Sequence, residues 1–183
     1  MGVGPRGFSC SQRQNRGGEM LELEGACYCN AVTFSALTHT PYPYMRCYCS
    51  FCRTTSGSGG YGINIMAEAE TLRVNGEQVL GFHHGKYHDE VTDELKQSPG
   101  RRYFCRECGS PLWAADPRWP QWIYPFASAV RTPLPIPPEA VHIMLDFKSP
   151  WVEVPTGINH RHFDRYPDES IVDWHLRHGL YIE

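Results

Sequence analysis

Three cysteines lie within six positions of the chain, in the pattern C-x-C-x-x-C: Cys47, Cys49 and Cys52. Thiolates this close repel one another unless a cation lies between them, so the spacing predicts a zinc site. Three protein ligands leave the fourth tetrahedral position open to a substrate. Small residues follow the motif, and because they carry little side-chain bulk they are predicted to line the approach to that position: Ser56, Gly57 and Gly59.

The other cysteines also have ligand spacing. The chain has eight cysteines, including the pairs Cys27-x-Cys29 and Cys105-x-x-Cys108. Such pairs are typical of metal sites, and a chain of 183 residues does not need disulfides for stability. The N-terminal segment also lacks the apolar stretch of a classical signal peptide. The pattern therefore favours zinc over disulfides and predicts a reducing compartment, most simply the cytoplasm.

Two divisions of seven cysteines into four and three are open, and either predicts two zinc ions. In the first, a closed structural site is formed by Cys27, Cys29, Cys105 and Cys108, and the triple motif forms the open site. In the second, a zinc ribbon is formed by Cys49, Cys52, Cys105 and Cys108, which leaves Cys27, Cys29 and Cys47. The first is favoured because C-x-C-x-x-C is compact enough to bind as one unit.

The elements that must position these cysteines are predicted to be short strands. Alternation over 21–24 and 31–36 indicates a hairpin with Cys27 and Cys29 at its turn. A strand over 101–104 leads into the turn at Cys105 and Cys108, and another is expected over 141–147. The polar segment 83–90, with three of the nine histidines, is expected to be an exposed loop.

One helix is expected late in the chain. Acidic residues lead the segment 168–179, basic residues close it, and Gly179 is placed to end it. With fifteen prolines and seventeen glycines, the chain is predicted to be mainly β. The predicted organisation is a disordered leader at 1–20, a zinc-binding domain at 21–155, and a C-terminal extension with the short helix at 156–183.

Charge and hydropathy exclude two classes of partner. The net charge is −3 and the pI about 6.3, so no basic surface for nucleic acid is expected. No apolar run reaches the ~18 residues that a membrane-spanning helix needs. The oligomeric state is left open, and a homo-oligomer is compatible with the sequence.

Three stretches of the chain resemble one known family: G-A-C-Y-C-N-A-V-T-F, C-Y-C-S-F-C-R-T-T-S-G and R-Y-F-C-R-E-C-G-S-P-L-W. Over residues 21–154 the chain is similar to the glutathione-dependent formaldehyde-activating enzyme family, also called the CENP-V/GFA domain. The resemblance implies a Mss4-like, zinc-bound β-sheet fold. It also implies a structural zinc on four cysteines and an active-site zinc on the triple motif, as in the first division.

The resemblance implies a carbon–sulfur lyase similar to S-(hydroxymethyl)glutathione synthase, which joins or cleaves a glutathione-like thiol and formaldehyde or a related adduct. The chain departs from many relatives in having Tyr48, rather than histidine, between the first two cysteines of the motif. Three arginines are candidates to bind a substrate carboxylate, because a guanidinium offers two parallel donors: Arg46, Arg53 and Arg102. The alternatives are a non-catalytic carrier of glutathione or another thiol, and an interaction module stabilised by zinc.

Overall fold

The computed structural model describes residues 19–55 and 58–183, and it is mainly β with a short C-terminal helix, as predicted. The predicted leader, apart from its last two residues, lies outside the described residues. The strands and α-helices in the described part are β1 Leu21–Ala26, β2 Thr33–Thr38, β3 Met45–Cys47, α1 Ser50–Thr55, β4 Gly62–Ile63, β5 Ala67–Glu68, β6 Arg73–Asn75, β7 Leu80–His88, β8 Leu95–Cys105, β9 Pro111–Ala115, β10 Trp122–Pro125, β11 Ala140–Ile143, β12 His160–His162 and α2 Ile171–Arg177. Among these residues no helix is long and apolar enough to cross a membrane.

The first hairpin is confirmed. Strands β1 and β2 pair antiparallel, from Leu21 opposite Thr38 to Ala26 opposite Thr33. The backbone then turns through Asn30, whose φ of 64° is a left-handed conformation that asparagine tolerates better than most residues. Because the turn is this tight, it holds the first cysteine pair at one end of a three-stranded sheet in the order β1-β2-β6.

The prediction of an exposed loop over 83–90 is wrong for most of that segment. Residues up to His88 belong to β7, which pairs with β8 from Leu80 opposite Cys105 to His88 opposite Leu95. The turn itself begins at Asp89, whose carboxylate accepts hydrogen bonds from the next residues. Strand β7 is the edge of a five-stranded sheet in the order β5-β10-β9-β8-β7, and its polar composition reflects that exposed position.

A third sheet positions the triple motif. Its order is β12-β11-β3-β4, so β3 is an inner strand. Cys47, the last residue of β3, lies opposite Ile143 of β11 in parallel register and opposite Gly62 of β4 in antiparallel register. The predicted strand over 141–147 ends early, because Met144 adopts a left-handed φ of 62° and a 3₁₀ turn follows.

Two groups of buried side chains form the core, and each contains part of the cysteine set. The larger group packs Leu23, Phe34 and Trp113 against Cys27 and Cys105. The smaller group is formed by Tyr44, Cys47, Cys52, Val141, Ile143 and Trp174. The two cysteine motifs are therefore packed into different halves of the core.

The predicted late helix is present as α2, which begins at Ile171, inside the predicted segment 168–179, and ends before Gly179 as predicted. Ser170 caps it, accepting from the N–H of Asp173, and the Asp173 carboxylate accepts from the backbone N–H of Ser170 in return. At the other end Gly179 has a φ of +65°, and the N–H of Leu180 bonds to the carbonyl of His175. Both ends thus satisfy backbone groups that the helix itself leaves open.

Helix α2 places Trp174 in the smaller core group, and removal of the Trp174 side chain should destabilise the fold. The indole is fully buried, stacks on Tyr44 with ring centroids 3.7 Å apart, and donates from Nε1 to Glu139 at 2.9 Å. We expect Trp174→Ala to lower the free energy of unfolding by about 3–5 kcal/mol, because it leaves a cavity in the core and removes one of the donors to Glu139. Urea unfolding followed by circular dichroism measures this. Leu176→Ala, on the exposed face of the same helix, is the control, and an equal loss in both variants would contradict the assignment.

Candidate active site

Four cysteines from the first hairpin and the late turn come together, as in the first division. The sulfur atoms of Cys27, Cys29, Cys105 and Cys108 all lie within 4.8 Å of one another. Two of the distances are 3.5 Å between Cys27 and Cys29 and 3.8 Å between Cys29 and Cys105. Tetrahedral zinc–sulfur bonds of about 2.3 Å require sulfurs about 3.8 Å apart, so the cluster fits such an ion.

Backbone and hydroxyl contacts hold this four-cysteine cluster. The N–H of Val32 donates to the sulfur of Cys27 at 3.2 Å, and the N–H of Tyr28 donates to the hydroxyl of Ser110 at 3.0 Å. Gly109 follows the last cysteine with a φ of +73°, a left-handed conformation that a tight turn often requires and that glycine adopts readily. These contacts tie together two segments that are almost eighty positions apart in the chain, which is the arrangement expected of a structural site.

The triple motif forms a second cluster, in which the three sulfur atoms lie within 4.8 Å of one another. Cys47 ends β3, Cys49 precedes the first residue of α1, and Cys52 lies in its first turn. The N–H of Cys52 points at the sulfur of Cys49 at 3.4 Å, as at the N-terminus of a helix that binds an anion. Cys47 and Cys52 are buried, whereas Cys49 is partly exposed, so a ligand would reach the cluster from the side of Cys49.

The three thiols strongly perturb one another. Contacts with the sulfurs of Cys47 and Cys52 lower the pKa of Cys49, and the N–H of Cys52 and the charge of Arg102 act in the same direction. Contacts with Cys49 and Cys52, together with burial, raise the pKa of Cys47. The sulfur of Cys47 lowers the pKa of Cys52, but Cys49 and burial outweigh it and leave that pKa raised. Because the three sulfurs are coupled, ionising one of them hinders ionisation of the others unless a cation lies among them.

The chain is similar to known proteins over most of its length. The family model described as glutathione-dependent formaldehyde-activating enzyme matches residues 22–144. The chain belongs to this family. A Halomonas elongata protein that carries the family's name is 51% identical over 158 residues, which cover 86% of this chain and 97% of that protein. A crystal structure of a Rhodobacter sphaeroides protein superposes with a TM-score of 0.44 at 24% identity, over 61% of this chain and 91% of that one.

The region that matches the family model contains both cysteine clusters and all three predicted substrate-binding arginines, but only one of these arginines is shown in contact with the triple motif. Arg102, on β8, directs Nη2 at the sulfur of Cys52 at 3.8 Å. The Arg46 guanidinium lies over the ring of Tyr61, and Arg53 donates to the hydroxyl of Ser149 at 3.0 Å. Of the small residues, Gly59 is exposed, and Ser56 and Gly57 lie outside the described residues.

Asn64 contacts the triple motif, and the sequence analysis did not identify it. Its Nδ2 lies 3.8 Å from the sulfur of Cys52. The residue follows β4 in the apolar segment 61–66, and a lone amide in such a segment was the available signal. The pairing of β4 with β3 brings Asn64 to the triple motif, and the spacing of the cysteines does not reveal that pairing.

Behind the cluster lies a second missed feature, a buried chain of hydrogen bonds. The Tyr48 hydroxyl lies 2.8 Å from Nδ1 of His142, and Nε2 of His142 lies 2.9 Å from Nδ1 of His160. His142 and Tyr48 are fully buried. Tyr48 lies between the first two cysteines of the triple motif, and its hydroxyl joins the motif to strand β11.

The buried His142 should make stability depend on pH. Burial, followed by the charge of Arg46 and the neighbouring His162 and His160, lowers its pKa from 6.5 to about 4. Between these values the unfolded chain binds a proton that the folded chain does not, so stability falls as pH drops from about 7 to 4. We expect this loss to be about 2–3 kcal/mol smaller in His142→Gln. Urea unfolding at pH 7 and pH 5 measures most of this loss of stability. The control is His88→Gln, at an exposed position. Equal changes in stability with pH in wild type, His142→Gln and His88→Gln would contradict the prediction.

Proposed function

We propose that this protein is a zinc-dependent carbon–sulfur lyase of the S-(hydroxymethyl)glutathione synthase type, which joins or cleaves a glutathione-like thiol and formaldehyde or a related adduct. The observation that supports it most is the triple motif: three cysteine sulfurs within 4.8 Å, with Cys49 partly exposed, in a chain of this family. In this proposal the four-cysteine cluster holds a structural zinc. The reducing state that free thiols require favours the cytoplasm as the compartment.

The ligand set decides which substrates suit the site. Sulfur ligands favour a further soft donor over water, because three thiolates lower the Lewis acidity of the cation. When bound, a zinc ion would supply a position at which a substrate thiol loses its proton and is held as a thiolate at neutral pH. In the addition, a bond would form between the substrate sulfur and the carbonyl carbon as the C=O π bond opens; the thiol proton would pass to solvent, and the carbonyl oxygen would take a proton from solvent. Cleavage is the reverse.

In this proposal, side chains and backbone groups of the chain bind the substrate and orient the motif sulfurs. The N–H of Cys52 and the guanidinium of Arg102 hold the motif sulfurs in place. Arg46 and Arg53 lie next to the outer cysteines in sequence and remain the proposed partners of a substrate carboxylate. Arg53 keeps a buried Nε with no hydrogen-bond partner in the described part of the chain, which leaves it a donor for such a group. Holding thiol and aldehyde together converts a bimolecular reaction into a local one.

Exchange spectroscopy tests the proposal. The zinc-loaded protein is added to glutathione and ¹³C-formaldehyde at equilibrium, and the exchange between free and hydroxymethyl glutathione is measured. We expect the exchange rate to rise in proportion to protein concentration, above the spontaneous rate with equal free zinc. Binding of glutathione without acceleration would favour the thiol carrier instead, and neither binding nor acceleration would favour an interaction module.

A further inference from the structure

Two side chains from distant parts of the chain direct a donor at one sulfur. Nη2 of Arg102, on β8, and Nδ2 of Asn64, after β4, each lie 3.8 Å from the sulfur of Cys52. Cys52 is only 3% exposed, so both contacts are shielded from water. An N–H directed at a thiolate draws electron density from the sulfur, and such a bond is stronger when the acceptor is charged.

Arg102 has no nearer anion than this cluster. The ring of Phe51 lies below its guanidinium, 5.5 Å away. No carboxylate within residues 19–55 and 58–183 lies within ion-pair distance of it. Its Nη1 is buried and has no hydrogen-bond partner among the same residues. Burying a guanidinium without an opposite charge is costly, so the sulfurs of the triple motif are the charge that retains it there.

Charge arithmetic shows what this contact changes. A divalent cation and three thiolates sum to one negative charge, and a fourth thiolate from a substrate would make two. The guanidinium adds one positive charge beside Cys52. With it, the site is neutral before the substrate arrives and carries one negative charge afterwards. Asn64 adds a second donor but no charge.

We infer that Arg102 and Asn64 are positioning residues that hold the sulfur of Cys52 and offset the charge of the three thiolates, so that the site accepts an anionic fourth sulfur. The inference rests on the proposed function for the identity of that sulfur. Arg102 contributes through its charge and Asn64 through a neutral donor, so removing Arg102 should have the larger effect on binding.

Cobalt(II) bound in place of zinc reports directly on the contacts with Cys52, because the wavelength of its sulfur-to-metal charge-transfer band depends on the electron density on the sulfurs. We expect the band to move to longer wavelength in Arg102→Met and, by less, in Asn64→Leu, since each loses a donor to Cys52. Titration with glutathione should show affinity about 10- to 100-fold weaker in Arg102→Met, as a unit charge several ångströms away predicts. Arg102→Lys, which keeps the charge, should recover most of that affinity.

The neighbouring residue provides a matched control. Arg101 lies on the same strand, is exposed, and stacks over Phe82 rather than reaching the cluster. Arg101→Met should leave the band and the glutathione affinity at wild-type values. The inference is overturned if Arg102→Met keeps both, or if Arg101→Met changes them as much. If Arg102→Met does not fold, the comparison of Asn64→Leu and Arg102→Lys with wild type decides it: an unmoved band in Asn64→Leu, or weak binding in Arg102→Lys, overturns the inference.

The two proposals can fail separately. The band of the cobalt protein without substrate reports the contacts with Cys52, whatever reaction the protein catalyses. A shifted band and weakened glutathione binding, with no acceleration of exchange in wild type, would refute the lyase and keep the role of Arg102. Acceleration in wild type with an unmoved band and unchanged affinity in Arg102→Met would refute that role and keep the lyase.

Discussion

Replacing Cys49 with serine is expected to reduce the acceleration of glutathione–formaldehyde exchange by about 1000-fold or more. A bound metal ion contributes several kcal/mol of transition-state stabilisation, and each 1.36 kcal/mol is a factor of ten in rate. Two cysteines cannot hold the ion in the triple motif as firmly as three, so zinc content should also fall from two equivalents to about one. Cys49 is the least buried sulfur of the motif, so the variant should keep its fold.

The matched control for this variant is Ser50→Ala, at the exposed first residue of α1. It should keep two equivalents of zinc and nearly full acceleration. Zinc is measured by mass spectrometry of the intact, undenatured protein, and exchange by the spectroscopy already described. A Cys49→Ser protein with both metal ions and wild-type exchange would remove the triple motif from the mechanism.

Cys105→Ser is expected to act on the whole fold rather than on the chemistry alone. Cys105 is fully buried in the larger core group and holds one corner of the four-cysteine cluster. Structural zinc in small domains contributes about 10–16 kcal/mol of apparent binding energy, which is comparable with the 5–15 kcal/mol stability of a typical domain. The variant should therefore be largely unfolded at 25 °C, and a strong chelator should have the same effect on the wild-type protein.

The exposed residue Glu107 lies between Cys105 and Cys108, and Glu107→Ala is the control for the turn. We expect its thermal midpoint to stay within a few degrees of wild type, since exposed substitutions rarely change stability by more than about 0.5 kcal/mol. Circular dichroism during heating measures both variants. A folded Cys105→Ser protein with a wild-type midpoint would show that the cluster is not a structural metal site.

The local parts of the fold could be predicted from the sequence. The turns that carry the cysteines follow from their short spacings, and the first hairpin follows from alternation on both sides of Cys27 and Cys29. The joining of that first pair to Cys105 and Cys108 spans almost eighty positions, and local spacing left two divisions open. The end of α2 follows from Gly179, because few other residues adopt a left-handed conformation there. Within each turn, hairpin or helix end, the determining contacts join residues fewer than twenty positions apart in the chain.

The remainder depends on pairings between distant strands, which local patterns do not encode. Nothing near His83 indicates that it lies opposite Arg102, because the partner strand is about twenty residues further on. Arg102 was identified as a candidate, but its contact with Cys52 was not, since fifty positions separate them. Asn64 and His142 were missed for the same reason: strands β4 and β11 bring them to the motif.

The stacking of Trp174 on Tyr44 bears on where this protein could be truncated. The family model ends at residue 144, yet the aromatic ring that covers Tyr44, three positions before Cys47, comes from thirty residues later. A recombinant fragment cut at that boundary would leave one flank of the sulfur-bearing strand open to solvent. A self-contained unit of this protein therefore has to extend beyond residue 144, where the family model ends, and include helix α2.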